Sequence, residues 1–289
     1  QDAYRQYGIT CMESGKYEDA VKAFQNALGE SIGHIGEKEL DICFYKAKAQ
    51  ALDGKTKDAL ATYNAIIKYN KDARAYYLRG DLYMDMGEEK KGRADFESAV
   101  QQGKKNYEIY IGIYESLSRH EKKDEGQKYL SAAMEIKGDK PEDELYKGRI
   151  SYLLGENKDA ISYLEKAKEH KQMLASYYLG LAYDANGDSD KAKKCIAEYI
   201  KSGVATSYDL YELGMQEMQD GNYKNALTYF NSGLELEKVP NKQNLMKSAI
   251  AAYEYSGDFD SAKKMMKEYL KAYPDDEEAK HENTFLETR

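Results

Sequence analysis

Between Ser207 and Pro240 the apolar positions fall on two helical stripes separated by a glycine. Leu210, Leu213, Gly214 and Met218 recur at three- and four-residue steps, which puts them on one face of a helix. Gly221 follows that stripe, where a residue in the left-handed conformation ends a helix. Asn222 and Lys224 are turn and helix-start residues. Ala226, Phe230, Gly233 and Leu234 then form a second stripe, and Pro240 closes a unit of about 34 residues. The small residues Gly214 and Ala226 fall where the two helices cross, so the backbones can approach. The pattern predicts an antiparallel helix pair that cannot bury both stripes alone and needs neighbours.

The rest of the chain repeats this unit with variations. Repeats are expected near 1–34, 40–72, 73–104, 105–140, 141–172, 173–206, 207–240 and 243–276. Glycines mark the frame. Gly8, Gly80, Gly112, Gly148, Gly180 and Gly214 are assigned to place eight of their repeats. Gly15, Gly54, Gly87, Gly155, Gly187, Gly221 and Gly257 are assigned to place fifteen. A glycine-bearing loop with Gly29, Gly33 and Gly36 lengthens the first connection. The fourth repeat is irregular: Gly112 and Gly126 stand about two residues too far apart, and the charged run RHEKKDE fills its turn. Residues 277–289 read as a polar capping helix, with Ala279, Phe285 and Leu286 on its apolar side. Solenoids need such a cap at their ends.

Composition narrows what the array can do. The net charge is −8, with acids and bases interspersed, which argues against a nucleic-acid binder. No apolar run is long enough to span a membrane. Cys11, Cys43 and Cys195 are widely spaced, form no CxxC and are expected as small buried residues. The histidines are scattered, so no metal site and no cofactor are expected. No nucleophile elbow, zinc-protease helix or phosphate-binding loop occurs, and the chain is expected not to be an enzyme. It begins with Gln1 and almost inside a helix, since Tyr4, Tyr7 and Gly8 already follow the pattern. Sequence upstream is therefore expected to have been removed. The chain would be cytoplasmic or, after loss of a leader, extracytoplasmic and lipid-anchored. The uncapped first repeat is a candidate surface for self-association.

The recurring set is a bulky residue at place four, glycine at eight, alanine at twenty, an aromatic at twenty-four, alanine at twenty-seven and proline near thirty-two. It resembles the tetratricopeptide repeat family over residues 1 to about 276. The resemblance implies an all-α, right-handed α-solenoid, a superhelix of about eight helix-turn-helix repeats. It also implies that places two, five, nine and twelve of each first helix line a concave groove. Arg5, Ile9 and Met12 would line it in repeat one, and Phe44 and Lys48 in repeat two. Tyr77, Asp81 and Met84 follow in repeat three, with Ile109 and Ile113 in the irregular repeat four. Repeat five supplies Leu145, Arg149 and Tyr152, and repeat six Tyr177, Leu181 and Asp184. Repeat seven supplies Tyr211, Met215 and Met218, and repeat eight Lys247 and Ala251.

These places are rich in Tyr and Met, residues that give contact area and adapt to irregular partners. The functional reading is a non-catalytic scaffold that binds a protein, an extended peptide or a partner helix. The bland alternative is that a tight superhelix packs the same residues against its own neighbours. Some family members grip a C-terminal carboxylate with Lys and Asn at places five and nine. Here Arg5 stands with Ile9, Phe44 with Lys48 and Tyr77 with Asp81, so that clamp is absent. Two rival functions remain open: a surface-attached solute- or glycan-binding protein, and the peptide-sensing part of a larger regulator.

Overall fold

The structure, a computed structural model, describes residues 1–31, 35–138 and 140–289. Gly33, one glycine of the expected first loop, lies outside them. Among the described residues every regular element is a helix, as the pattern predicts. By its contacts the chain divides into two compact units, Gln1–Tyr199 and Ile200–Arg289.

The first unit begins with α1 (Asp2–Glu13) and α2 (Tyr17–Gly29), then α3 (Glu37–Leu52) and α4 (Thr56–Asn70). It continues with α5 (Ala73–Asp85), α6 (Glu89–Gln102), α7 (Tyr107–Arg119) and α8 (Lys123–Met134). It ends with α9 (Pro141–Leu154), α10 (Asn157–Glu169), α11 (Leu174–Ala185) and α12 (Ser189–Lys201), whose last two residues fall in the second unit. Each odd helix packs against the even helix that follows it, α11 on α12 through Gly180 and Ile196, and α1 also touches α3, α5 touches α7 and α9 touches α11. The pairing follows from the stripes. Phe24 and Phe96 of the even helices are fully buried, as are Leu164, Ala160 and Ala167. Gly8 lies under Phe24 and Gly80 under Phe96, where a Cβ would come within 2.6 and 2.8 Å of the rings. Such approaches leave no room for a side chain at the crossing.

The turn inside each pair has its own rule. At place fifteen Gly15, Gly54, Gly87, Gly155 and Gly187 all take positive φ, between 70° and 85°. Glycine does so without a Cβ penalty. In the fourth repeat that conformation falls to Glu121, at φ 62°. Counting back seven residues from it gives Tyr114, not Gly112, as place eight. The packing agrees: a Cβ on Gly126 would meet the Tyr114 Cα and carbonyl oxygen at 3.2 Å. Gly92 meets the Gly80 carbonyl in the same way, at 3.0 Å. The expected place of Gly112 is therefore corrected by two residues. Gly112 instead makes room for Tyr77 of the preceding pair, whose Cζ is 2.6 Å from where a Cβ would stand.

The second unit contains α13 (Ser207–Gln219), α14 (Tyr223–Leu234), α15 (Lys242–Tyr255), α16 (Phe259–Ala272) and α17 (Glu277–Leu286). Phe230 is fully buried against Gly214, and Gly221 and Gly257 close the turns with positive φ. Asp276 caps α17 by accepting from the Ala279 amide at 3.1 Å. Ala279 and Leu286 of α17 complete a core cluster with Met246, Ile250, Ala262, Met266 and Tyr269. Of the cysteines, Cys11 and Cys195 are buried and Cys43 is half-buried, and all three are free.

Candidate functional site

In each unit the odd helices present a face of their own. In the first unit Arg5 of α1 donates from Nε and Nη2 to Asp41 of α3, at 2.9 and 2.5 Å. Its guanidinium also lies 5.2 Å from the Tyr45 ring centroid. Ile9 and Met12 are half-buried beside the first core cluster, and Lys48 is exposed. Tyr77 of α5 is half-buried, with its ring 6.4 Å from Phe96. Burial raises the pKa of its hydroxyl, with Asp81 and Glu115 adding to the effect. Asp81 accepts from Arg119 of α7 at 2.5 Å.

On α9, Arg149 reaches Glu115 at 3.0 Å and Glu108 at 3.4 Å, both on α7. Its guanidinium lies 5.5 Å from the Tyr178 ring of α11. Tyr152 and Leu181 are half-buried, and Asp184 is exposed. Tyr177 is half-buried, edge-on to Tyr178 at 5.1 Å and 5.3 Å from Tyr199.

In the second unit Tyr211, Met215 and Met218 of α13 are half-buried beside a core cluster. The Tyr211 ring lies 6.2 Å from Phe230, and the Ser248 hydroxyl of α15 donates to the Met215 sulfur at 3.6 Å. Lys247 of α15 pairs with Asp276 at 2.8 Å. That contact, with the Tyr269 hydroxyl and the Ala279 amide, drives the Asp276 pKa far below the usual carboxylate range.

Five expected lining residues belong to the core. Phe44, Met84 and Leu145 are 6, 2 and 8% exposed, and Ile109 and Ile113 are 3 and 0% exposed. The reasons differ. Phe44 packs with Ala47, Tyr63, Ile66 and Ala75 and is roofed by the Arg74 guanidinium at 4.5 Å. Met84 fills the space that Gly92 leaves beside it. Leu145 packs with Leu164 and Leu179. Ile109 and Ile113 turn inward because the frame of α7 is shifted. That shift puts Glu108 and Glu115 at places two and nine instead, where they become the partners of Arg149.

Taken unit by unit, the odd helices carry two kinds of residue on these faces. In the first unit Arg5 is tied to Asp41, Arg119 to Asp81 and Arg149 to Glu115, each across to a neighbouring odd helix, while Lys48 and Asp184 stay exposed. Aromatic and apolar ones are half-buried, with one side on the core: Ile9, Met12, Tyr77, Tyr152 and Tyr177 in the first unit, and Tyr211, Met215 and Met218 in the second. Asp41, Glu108, Glu115 and Arg119 were not among the sequence candidates. Among the described residues no group of three His, Cys, Asp or Glu could hold a metal ion. No helix of the described residues is long and apolar enough to cross a membrane.

Two family models described as tetratricopeptide repeat match the chain. One covers residues 8–68 and 44–107, and the other covers 174–202 and 243–276, together more than half of the chain. No curated protein matches it. Among solved structures, a tetratricopeptide repeat protein from Parabacteroides merdae is similar at 12% identity and a TM-score of 0.50. That alignment covers 87% of this chain and 98% of that one. PilW, described as a widely conserved type IV pilus biogenesis factor, aligns at 18% identity and a TM-score of 0.47. It covers 72% of this chain and 97% of its own. The APC/C hetero-tetramer Cut9–Hcn1 aligns at 16% identity and a TM-score of 0.46, over 93% of this chain and 52% of that one.

Proposed function

The chain belongs to the tetratricopeptide repeat family, and from that premise we propose that its odd-helix faces bind an extended peptide or a partner helix, without catalysis. Repeats of this family generally mediate protein–protein interaction. One observation carries the reading here. Half-buried tyrosines and methionines recur on α1, α5, α9 and α11 and again on α13, while Arg5, Asp81 and Arg149 among them are held in cross-helix ion pairs. A free row of lysines and glutamates would be costly to dehydrate. Charges held in cross-helix pairs fix the rows of rings instead, and leave apolar surface as the part that gains by being covered.

The pairs also account for part of the bland alternative. The same face does pack against itself, through its charges and through the inner edges of its rings. What remains outward is the other side of the tyrosines and methionines.

The test is capture from a native extract by the immobilised full chain, in parallel with a Tyr177→Ala, Tyr211→Ala variant. A partner retained by the wild type and lost by a folded variant supports the odd-helix face. A partner held equally by both removes that face from the reading.

A further inference from the structure

A hollow of about 520 Å³ opens in the first unit between α2, α3 and α4. Leu40, Ala61, Ala65 and Ile66 give it apolar walls. Tyr69 and Ile35, both exposed at its rim, are joined by a hydrogen bond from the Tyr69 hydroxyl to the Ile35 carbonyl at 2.9 Å. Its polar lining comes from Gln25 of α2, Lys46 and Gln50 of α3, and Asp58 and Thr62 of α4. None of these residues belongs to the odd-helix face described above.

The same place one repeat on is filled by protein. There Arg79 of α5 donates to Asp95 of α6 at 2.7 and 2.6 Å and to Asn64 of α4. Its guanidinium lies 5.6 and 6.0 Å from the rings of Tyr76 and Tyr83. In the repeat frame Lys46 holds the place of Arg79, Gln25 that of Asn64 and Thr62 that of Asp95. Cys43 and Gln50 stand where the two tyrosines stand. The second repeat thus keeps the cation and lacks both rings and the carboxylate, and the space they would take is open.

Two donors are left over in that space. Lys46 is half-buried and pairs with no carboxylate among the described residues. Asp58, the acid on the rim, is exposed and forms no ion pair with it. Gln50 is only 5% exposed, and Thr62 donates to its Oε1 at 2.8 Å. The Gln50 Nε2 has no acceptor among the described residues, yet it is not sealed off, so this donor opens on the hollow that Gln50 lines. A buried donor without an acceptor is costly and calls for one. Lys46 and Gln50 are four residues apart on α3, which puts both donors on one helix face. A carboxylate answers an ammonium and an amide N–H together, and the apolar walls suit an aliphatic body behind it.

We propose that this hollow binds a free carboxylic acid with an aliphatic chain. Its carboxylate lies between Lys46 and Gln50, as that of Asp95 lies by Arg79 one repeat on, and its chain lies against Leu40, Ala65 and Ile66. The volume is that of a small-molecule site. An extended peptide would need the groove to run on along the array, and Arg79 with its two tyrosines closes it. The site is separate from the odd-helix face and stands whether or not that face binds a peptide.

The full chain is titrated with octanoate, with neutral octanamide and with the peptide acetyl-Ala-Ala-Leu-Leu carrying a free carboxylate. Calorimetry reads affinity. Location is read at Cys43, which lines the hollow and is half-buried while Cys11 and Cys195 are buried. Saturating octanoate is expected to slow labelling of Cys43 by a methanethiosulfonate reagent. Octanoate should bind about tenfold or more tighter than octanamide. Lys46→Gln should reduce octanoate affinity by a similar factor. Thr62→Asp supplies the missing acid in the place of Asp95, so it should exclude octanoate with the melting midpoint unchanged or raised. No binding of octanoate at millimolar concentration, equal affinity for octanamide, or unchanged Cys43 labelling at saturation would each overturn the assignment. So would full binding by folded Lys46→Gln and Thr62→Asp variants. Tighter binding of the peptide than of octanoate would overturn the choice of a free acid.

Discussion

Gly180 of α11 lies directly against Ile196 of α12: a Cβ at Gly180 would stand 2.4 Å from the Ile196 Cδ1 and 3.3 Å from the Ala192 carbonyl. Gly180→Val therefore has to push the two helices apart. The expected loss is about 1–3 kcal/mol. Thermal denaturation followed by circular dichroism should show a lower midpoint with the helical spectrum kept. An unchanged midpoint would mean that the glycine is not at a close crossing.

Glu121 tests the turn rule from the other side. It takes the left-handed conformation that glycine takes at the same place in the other pairs, at φ 62°. A side chain there costs about 1–2 kcal/mol, part of which glycine's extra freedom in the unfolded chain returns. Glu121→Gly should stabilise the chain by about 0.5–1 kcal/mol. Urea denaturation measures it. A destabilised variant would show that the α7–α8 turn is held by the glutamate side chain, not strained by it.

These two sites also mark what could be read from the sequence. The helix pairs were legible because the crossing at Gly180 or Gly214 needs a missing side chain, and the turn at Gly187 or Gly221 needs positive φ. Both demands fall on glycine, so they print a frame. In the fourth repeat the demands are met otherwise. Gly126 supplies the close approach to Tyr114 from the second helix, and a glutamate takes the turn. Gly112, the residue that looks like the frame, serves Tyr77 of the pair before. Reading it as place eight sent Ile109 and Ile113 outward and hid Glu108 and Glu115.

At place five, side-chain reach decided what no pattern shows. Phe44 and Leu145 are enclosed, whereas Tyr77, Tyr177 and Tyr211 remain half-buried. The acidic surroundings of Glu254 on α15 were illegible for another reason. Glu278 and Glu282 look like solvated helix residues until the helix folds back beside Glu254.

Glu254 makes stability depend on pH. Glu254 has its pKa raised by burial and by Glu282, and Glu278 and Lys247 line the same hollow between α15 and α17. The unfolded chain releases this proton in the usual glutamate range, while the folded chain holds it to higher pH. The contribution is thus fully present in acid and is lost as pH rises from the usual glutamate range through the raised value. Glu254→Gln removes that loss. Wild type and variant should melt together in acid, and the variant should melt about 2 °C higher at neutral pH. Parallel curves at all pH values would contradict a shifted Glu254.

The odd-helix face and the core make different demands on neighbouring rings, and Tyr211 and Phe230 separate them. The two rings lie 6.2 Å apart. Phe230 is fully buried under Gly214, while Tyr211 keeps one side outward. Phe230→Ala empties a closed site and should cost about 3–5 kcal/mol. Tyr211→Ala loses only the covered half of its contacts and should cost about 1–2 kcal/mol, below the range for a buried ring. If the outward side of Tyr211 is a binding surface, the same change should weaken a captured partner by about 2 kcal/mol or more. Denaturant titration of each single variant gives the stabilities, and calorimetry with the captured partner gives the affinity. Equal stability losses at the two positions would put Tyr211 in the core. A small stability loss with unchanged affinity would leave the ring exposed and idle, and would move binding away from α13.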